Sequence, residues 1–368
     1  MLWEVLEGLL LGTFTGITPG IHVNTIGELG LRDPVVLFSM GLVHTFLDAI
    51  PSAFLGIPDE GTALSVLPAH RLAINGRAME VVRISLWASA LAALFSLPLS
   101  LLYLRLAALY TPETGKIIVL LLLVLMLLTA RERALATLVI ILLSGLLGVI
   151  VFRLPLTHPY YHIFTGLFGI PAILVGIRGN PPRGEDSSIR MRSVSFMEFS
   201  LLGTFVGMLA SLVPAFTPSQ GAVLASFFSR DERAFLTAVF SINTANFTFS
   251  FMNYLATGRV RNGLIAKMPP LSQGALPFYL ILSLGISFLV LLYGEPLALA
   301  ILRAVRRVPY GYLNGGVLIF LFALSYLFDG FLGAFVLMTS SLLGLFTLSL
   351  GVARRACMGV LMIPILVG

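Results

Sequence analysis

One cysteine, two tryptophans and 17 acidic residues in a chain of 368 already exclude several kinds of protein. With Cys357 alone, neither an intrachain disulfide nor a cysteine-based metal cluster can form. Charged residues make up only 11% of the chain, and the net charge of +6 is spread over short loops. That pattern reads as a sidedness signal of a membrane protein, not as a nucleic-acid footprint. No GxxxxGK[ST] loop is present, so ATP is not expected as the direct energy source. No HExxH pair is present, so no metal or other cofactor is expected, and hydrolase and kinase signatures are missing too. The opening stretch MLWEVLEGLLLG carries Glu4 and Glu7 but no basic residue, so it is read as retained, not as a cleaved leader.

Apolar residues fill the space these absences leave. They make up 58% of the chain, and mean hydropathy is +0.99. No soluble core needs that much apolar surface, so the fold class is an all-α polytopic membrane protein. A bilayer core takes about 20 apolar residues per helix. Segments of that kind lie at 34–57, 84–104, 116–130, 134–152 and 161–177, then at 234–257, 274–294, 313–328, 329–350 and 353–367. The expectation is about ten spans, five per half, each half opening with a broken segment, 2–31 and 195–229, read as a re-entrant hairpin. The polar stretch RGNPPRGEDSSIRMR, 178–192, divides the chain into a first repeat, 1–177, and a second, 193–368. Its arginines place it in the cytoplasm of a plasma-membrane protein, with Arg131–Arg133, Arg303–Arg307 and Arg354–Arg355 on the same side and the N-terminus outside. Arg259, Arg261 and Lys267 then fall outside, against the charge rule.

The halves echo one another. GTFTG at 12–16 matches GTFVG at 203–207, and LAINGR at 72–77 resembles LATGR at 255–259. An odd number of spans per half turns the second repeat upside down. Inverted repeats with broken elements at their interface are a common build of secondary transporters.

Both broken segments place polar groups where lipid is expected: Thr18, Pro19, Gly20, Ile21, His22 and Asn24 in the first, Thr217, Pro218, Ser219, Gln220 and Gly221 in the second. Non-helical backbone at membrane depth survives only when buried in protein or lining a wet cavity. A short helix starting after each break has N–H groups without internal partners, which attract an anion. The breaks therefore read as paired half-sites for a negatively charged group. The glycines at 12, 16, 20, 203 and 207 also fit close helix packing. Asn243 and Asn246 share a helical face and suit a carboxylate, a phosphate or sodium, or interhelical bonding. His22, His44, Asp48, Asp59 and Glu60 are coupling candidates: His22 as proton carrier, His44 with Asp48 as a relay one turn apart. Asp329 reads as the cap of a loop between two spans. The expected coupling ion is a proton, with sodium as the alternative.

Gly12, Gly16, Pro19 and Gly20 fit a G-x-x-x-G-x-x-P-G element, Ile57, Pro58 and Gly76 a second element, and Thr244-Ala245-Asn246 is similar to an Asn-Asn-Ala motif. On these residues the chain resembles the TctA family, the large membrane subunit of tripartite tricarboxylate transporters, in its compact archaeal-type branch. Asp59 stands where that family has glycine, and the second Pro-Gly is replaced by the stretch from Pro214 to Gly221. The resemblance implies carboxylate transport without enzymatic activity, with accessory subunits as partners. A looser likeness to polyprenyl-phosphate transporters gives the alternative, a lipid-phosphate flippase. A lipid-modifying enzyme using His44 and Asp48 is the third reading. Partners expected are therefore an anionic small molecule or lipid phosphate, the bilayer and a second copy of the chain, not nucleic acid.

Overall fold

The computed structural model describes residues 1–27, 30–107, 112–176, 181–212, 217–229, 231–260 and 262–367. Pro214, Arg178 and Arg261, used in the sequence reading, lie outside them. The described residues are helical, without strands, and the protein is a multi-pass membrane protein. Among the described residues, six stretches are long and apolar enough to cross a membrane: Pro34–Leu55, Ala63–Ala107, Gly115–Val151, Ser193–Leu212, Gln273–Val305 and Tyr310–Ser349.

The first half runs α1 (Leu2–Ile17), α2 (Val23–Gly27), α3 (Pro34–Leu47), α4 (Ala49–Leu55), α5 (Val66–Leu72), α6 (Ala78–Ala107), α7 (Pro112–Ala130), α8 (Ala134–Val151), α9 (Pro159–Phe164) and α10 (Ile170–Gly176). The second runs α11 (Ser193–Leu212), α12 (Pro218–Phe228), α13 (Glu232–Thr257), α14 (Leu276–Val305), α15 (Tyr310–Ser349) and α16 (Gly359–Val367). Local chemistry sets several boundaries. Asp33 accepts from the N–H groups of Val35 and Val36, and Pro34 opens α3. Asp231 caps α13, which ends at Gly258 with φ of 69°. Within α15, Asp329 and Gly330 leave helical geometry, where the expected spans 313–328 and 329–350 meet.

Three expectations change. The segment 353–367 is not one long helix: a 3-10 turn at Arg354–Met358 precedes a nine-residue α16. Arg354, expected at the cytoplasmic start of that span, is buried and donates to the carbonyls of Leu167 and Phe168 at the π-helical turn Thr165–Gly169, where regular bonding is interrupted. The helix over 234–257 forms as α13 but is not among the six apolar stretches, because it carries buried Ser, Thr and Asn along its length.

Glycines fix how the helices cross. A side chain on Gly8, Gly12 or Gly16 would meet Ser39, Val43 and Leu47 in turn, so α1 and α3 lie in close contact and run parallel. Gly203 and Gly207 do the same against Ser241 and Ala245, so α11 and α13 are parallel. Between halves the direction reverses. Phe38 packs against Phe251, Thr45 bonds Thr244 and Asp48 bonds Asn243, so α3 and α13 are antiparallel.

Further correspondences emerge once the helices are aligned. α6 and α14 are each 30 residues long, with Pro98 and Pro296 at the same position from the helix start inside a shared P-L-x-L-x-x-L-R pattern. They too are antiparallel: Arg83 pairs with Glu295, and the end of α6 clusters with the start of α14. SGLLG at 144–148 answers SSLLG at 340–344, and IPAILV at 170–175 answers IPILV at 363–367. These motifs interlock crosswise. Gly148 receives Pro364, and Gly344 receives Pro171. Valine at either glycine should cost about 2 kcal/mol by overpacking, with similar size at both sites. Buried Cys357 is a built-in reporter, and its exposure to a thiol-reactive dye on heating measures the loss.

The segment joining the halves is a pinned strap. Its Arg183 and Gly184 carbonyls accept from the N–H groups of Ala78 and Met79, capping α6. Arg303 bonds Glu185 and holds its carboxyl below the usual range, and Arg77 reaches Asp186.

Candidate functional site

The crossing of α3 and α13 opens on a cavity of about 470 Å³. The first break, the loop after α4, the second break and the polar face of α13 all line it. Its walls include His22 and Asn24, Asp59 to Gly61, Thr217 and Pro218, and Asn243 and Asn246. A narrow adjoining cleft of about 50 Å³ takes in Thr18, Pro19, Gly20, Ile21 and Asp48, and shares His22, His44, Asp59 and Glu60 with the cavity. Gly20 has φ of 77°, the left-handed conformation that turns the backbone after Pro19.

The sequence-predicted residues divide. Ser219 and Gln220 are fully buried and point away from the cavity: the Ser219 hydroxyl donates to the Glu60 carbonyl, and the Gln220 carbonyl accepts from the Thr217 N–H. Gly221 packs against Ile242 and Val206 instead. The helix starts are also less open than expected. The Asn24 N–H is taken by His22 Nδ1 at 3.2 Å, and the Gln220 and Gly221 N–H groups by the Thr217 carbonyl. Asn24 and Thr217 line the cavity, but Asn24 Oδ1 and Thr217 Oγ1 are themselves buried, and the Thr217 and Gln220 side chains close a capping box at the start of α12.

Asp59 is the centre of the polar group. Its Oδ2 lies 3.1 Å from His44 Nε2, its Oδ1 lies 3.8 Å from His22 Nε2, and the Gly61 N–H donates to Oδ1 at 3.1 Å. The His22 and His44 rings meet edge to face at 5.0 Å. His44 thus turns towards Asp59. Asp48, the relay partner suggested by spacing, is held by the Asn243 amide at 2.6 Å. Glu60 borders both spaces. Asp329 sits elsewhere and accepts from the N–H groups of Thr157 and His158 and from His162 Nε2, so it caps the start of α9.

Two contributors escaped the sequence reading. Thr15 Oγ1 donates to the Gly12 carbonyl and lies 3.1 Å from His44 Nδ1, which orients that ring. The signal was the one mismatch in the repeated pentapeptide, Thr15 against Val206. Gly61 packs its backbone on the Asn243 amide and so joins the Asp59 group to the Asn243–Asp48 pair. Among the described residues lining the two spaces there is no Lys or Arg.

The sequence profile of the tripartite tricarboxylate transporter TctA family matches residues 2–359, nearly the whole chain. The chain belongs to the TctA family. An uncharacterized protein of Methanocaldococcus jannaschii is 28% identical over 345 residues, covering 87% of this chain and 85% of that one. No solved structure matches. TctA proteins are components of tripartite tricarboxylate transporters, a transporter family and not an enzyme family. The cavity of this TctA protein therefore lies in a transport component whose family handles carboxylates with accessory subunits.

Proposed function

We propose that this TctA protein is a secondary transporter that binds a carboxylate in the cavity between α3 and α13 and moves it by alternating access of two inverted repeats. The observation that carries this reading is the convergence of both breaks and the Asn243–Asn246 face on one cavity, in a chain of this family. Parallel α1/α3 and α11/α13 pairs, antiparallel to each other, support the inverted repeat. The interface between such repeats is where secondary transporters hold substrate. Asn24, Thr217, Asn243 and Asn246 supply amide and hydroxyl groups, which orient a carboxylate by donating to its oxygens.

An anion entering a cell held negative inside moves against the potential, at about 2.3 kcal/mol per charge per 100 mV. A cation must travel with it, and we place that cation at the group formed by Asp59, His44 and His22. Uptake of labelled citrate and small dicarboxylates into proteoliposomes, under imposed proton or sodium gradients, tests the reading. Asn246→Ala should weaken substrate binding about tenfold, the size of one hydrogen bond to a charged group. Transport of a polyprenyl phosphate with no carboxylate uptake would overturn the substrate class. Full proton-driven uptake by His22→Gln would remove His22 as a proton carrier.

A further inference from the structure

We propose that His22, His44 and Asp59 form a binding site for a divalent transition-metal ion, and that this ion makes the cavity receptive to an anion. The second clause rests on the carboxylate reading above, whereas the site itself does not.

The charge of the cavity raises the need. Asp59 and Glu60 face it and Asp48 lines the adjoining cleft, while no Lys or Arg does so among the described residues. Amides and hydroxyls alone do not offset two carboxylates facing an anionic substrate. A dication held by Asp59 reverses the local sign at the point where substrate must sit.

Hydrogen bonding shows where the ion belongs. Thr15 gives its proton to the Gly12 carbonyl, so it accepts from His44 Nδ1–H. The Nε2 lone pair of neutral His44 then faces Asp59 Oδ2 at 3.1 Å. Two acceptors at that distance need an electrophile between them, a proton or a metal ion. The geometry suits a metal: bonds of about 2.0–2.2 Å to imidazole and carboxylate hold adjacent ligand atoms about 3 Å apart. The third ligand is close, since one donor atom from each of His22, His44 and Asp59 lies within 4.8 Å of the others. When His22 gives up its contact with the Asn24 N–H, its proton can sit on Nδ1, and the Nε2 lone pair is then free to bind the ion. Thr15 behind His44 and Gly61 behind Asp59 are the outer partners that fix ligand orientation in metal sites. Two imidazoles and one carboxylate select zinc, cobalt, nickel, manganese or ferrous iron over magnesium and calcium. Three protein ligands leave further positions open towards the cavity, where a substrate carboxylate can complete the shell.

The test uses purified full-length protein stripped with chelator and titrated with Co²⁺ and Zn²⁺ alone, by visible absorption and calorimetry. One ion per chain is expected, with visible Co²⁺ absorption bands that aqueous Co²⁺ lacks. Affinity should fall at least a hundredfold in His44→Gln and in Asp59→Asn, and about tenfold in His22→Gln. Binding should weaken as pH drops and the imidazoles take protons. Continued protection of Cys357 from a thiol dye shows that a variant remains folded. Citrate and malate should bind at least tenfold tighter to the metal-loaded protein than to the stripped one. No ion binding beyond that of a folded Asp59→Asn variant would overturn the site and leave a proton between His44 and Asp59. Ion binding without any effect on citrate or malate affinity would overturn the second clause. Ion binding with neither carboxylate bound at all would leave the site standing and sink the carboxylate reading instead.

Discussion

Gly61→Ala should lower uptake about a hundredfold although it removes no polar group. The added methyl would fall on the Asn243 amide. Asn243 holds Asp48 at 2.6 Å, and the other oxygen of that carboxylate, Asp48 Oδ1, is buried without a partner. Displacing Asn243 therefore leaves the buried Asp48 carboxyl without its amide partner, which costs about 1–3 kcal/mol, up to a hundredfold. The same push disturbs the Gly61 N–H that orients Asp59. Asn243→Ala should give a comparable loss, and the double variant should be no worse than either single one, since both act through one contact. Initial rates of carboxylate uptake across the three variants check this. Normal uptake by Gly61→Ala would show that the backbone at 61 does not position the amide.

Glu80→Ala should lower stability by about 3–5 kcal/mol, the cost of breaking a buried ion pair from one side. Glu80 is 0% exposed. Arg233 donates to its two oxygens at 2.6 and 3.2 Å, and the Arg190 N–H donates at 2.7 Å. One carboxylate thus ties the start of α6, the start of α13 and the strap between the halves. Without it the Arg233 guanidinium, 20% exposed, loses its hydrogen-bonded partner, and Arg77, 3.7 Å from the same carboxylate, keeps only Asp186. Replacing both by leucine should recover most of the loss, because well-packed apolar groups of similar volume often match a buried pair. Midpoints of Cys357 labelling against temperature distinguish the two variants. Equal destabilisation by the single and double changes would show that the strap, held through the Arg190 N–H, matters more than the pair.

Much of the fold was legible because its determinants are local. Apolar run length marks spans regardless of what lies beside them, so 34–57, 116–130 and 134–152 became α3 with α4, α7 and α8. Asp329 was read as the cap of a loop between two spans, whereas it sits at the kink inside α15 and caps the start of α9, a partner far away in sequence. The P-L-x-L-x-x-L-R and Ile-Pro echoes were present too. In a chain so rich in leucine they stand out only once helix boundaries set their register. The nine-residue α16 was not legible, because a 3-10 turn stabilised by buried Arg354 looks like any basic flank of a span.

The sequence by itself determined that this is a helical membrane protein with two broken openings, and it named most of the polar residues that meet in the middle. Composition and proline placement act along the chain, so they need no partner to be read. Only the tertiary structure decided which groups meet. His44 faces Asp59 across a crossing that spacing cannot see, whereas the i, i+4 rule pointed to Asp48. Ser219 and Gln220 turned away from the cavity to satisfy neighbouring backbone, which left Thr217 and Pro218 at it. The reason is that a buried polar group takes whichever partner the packed helices bring within about 3 Å, and that choice is made by the antiparallel meeting of α3 and α13.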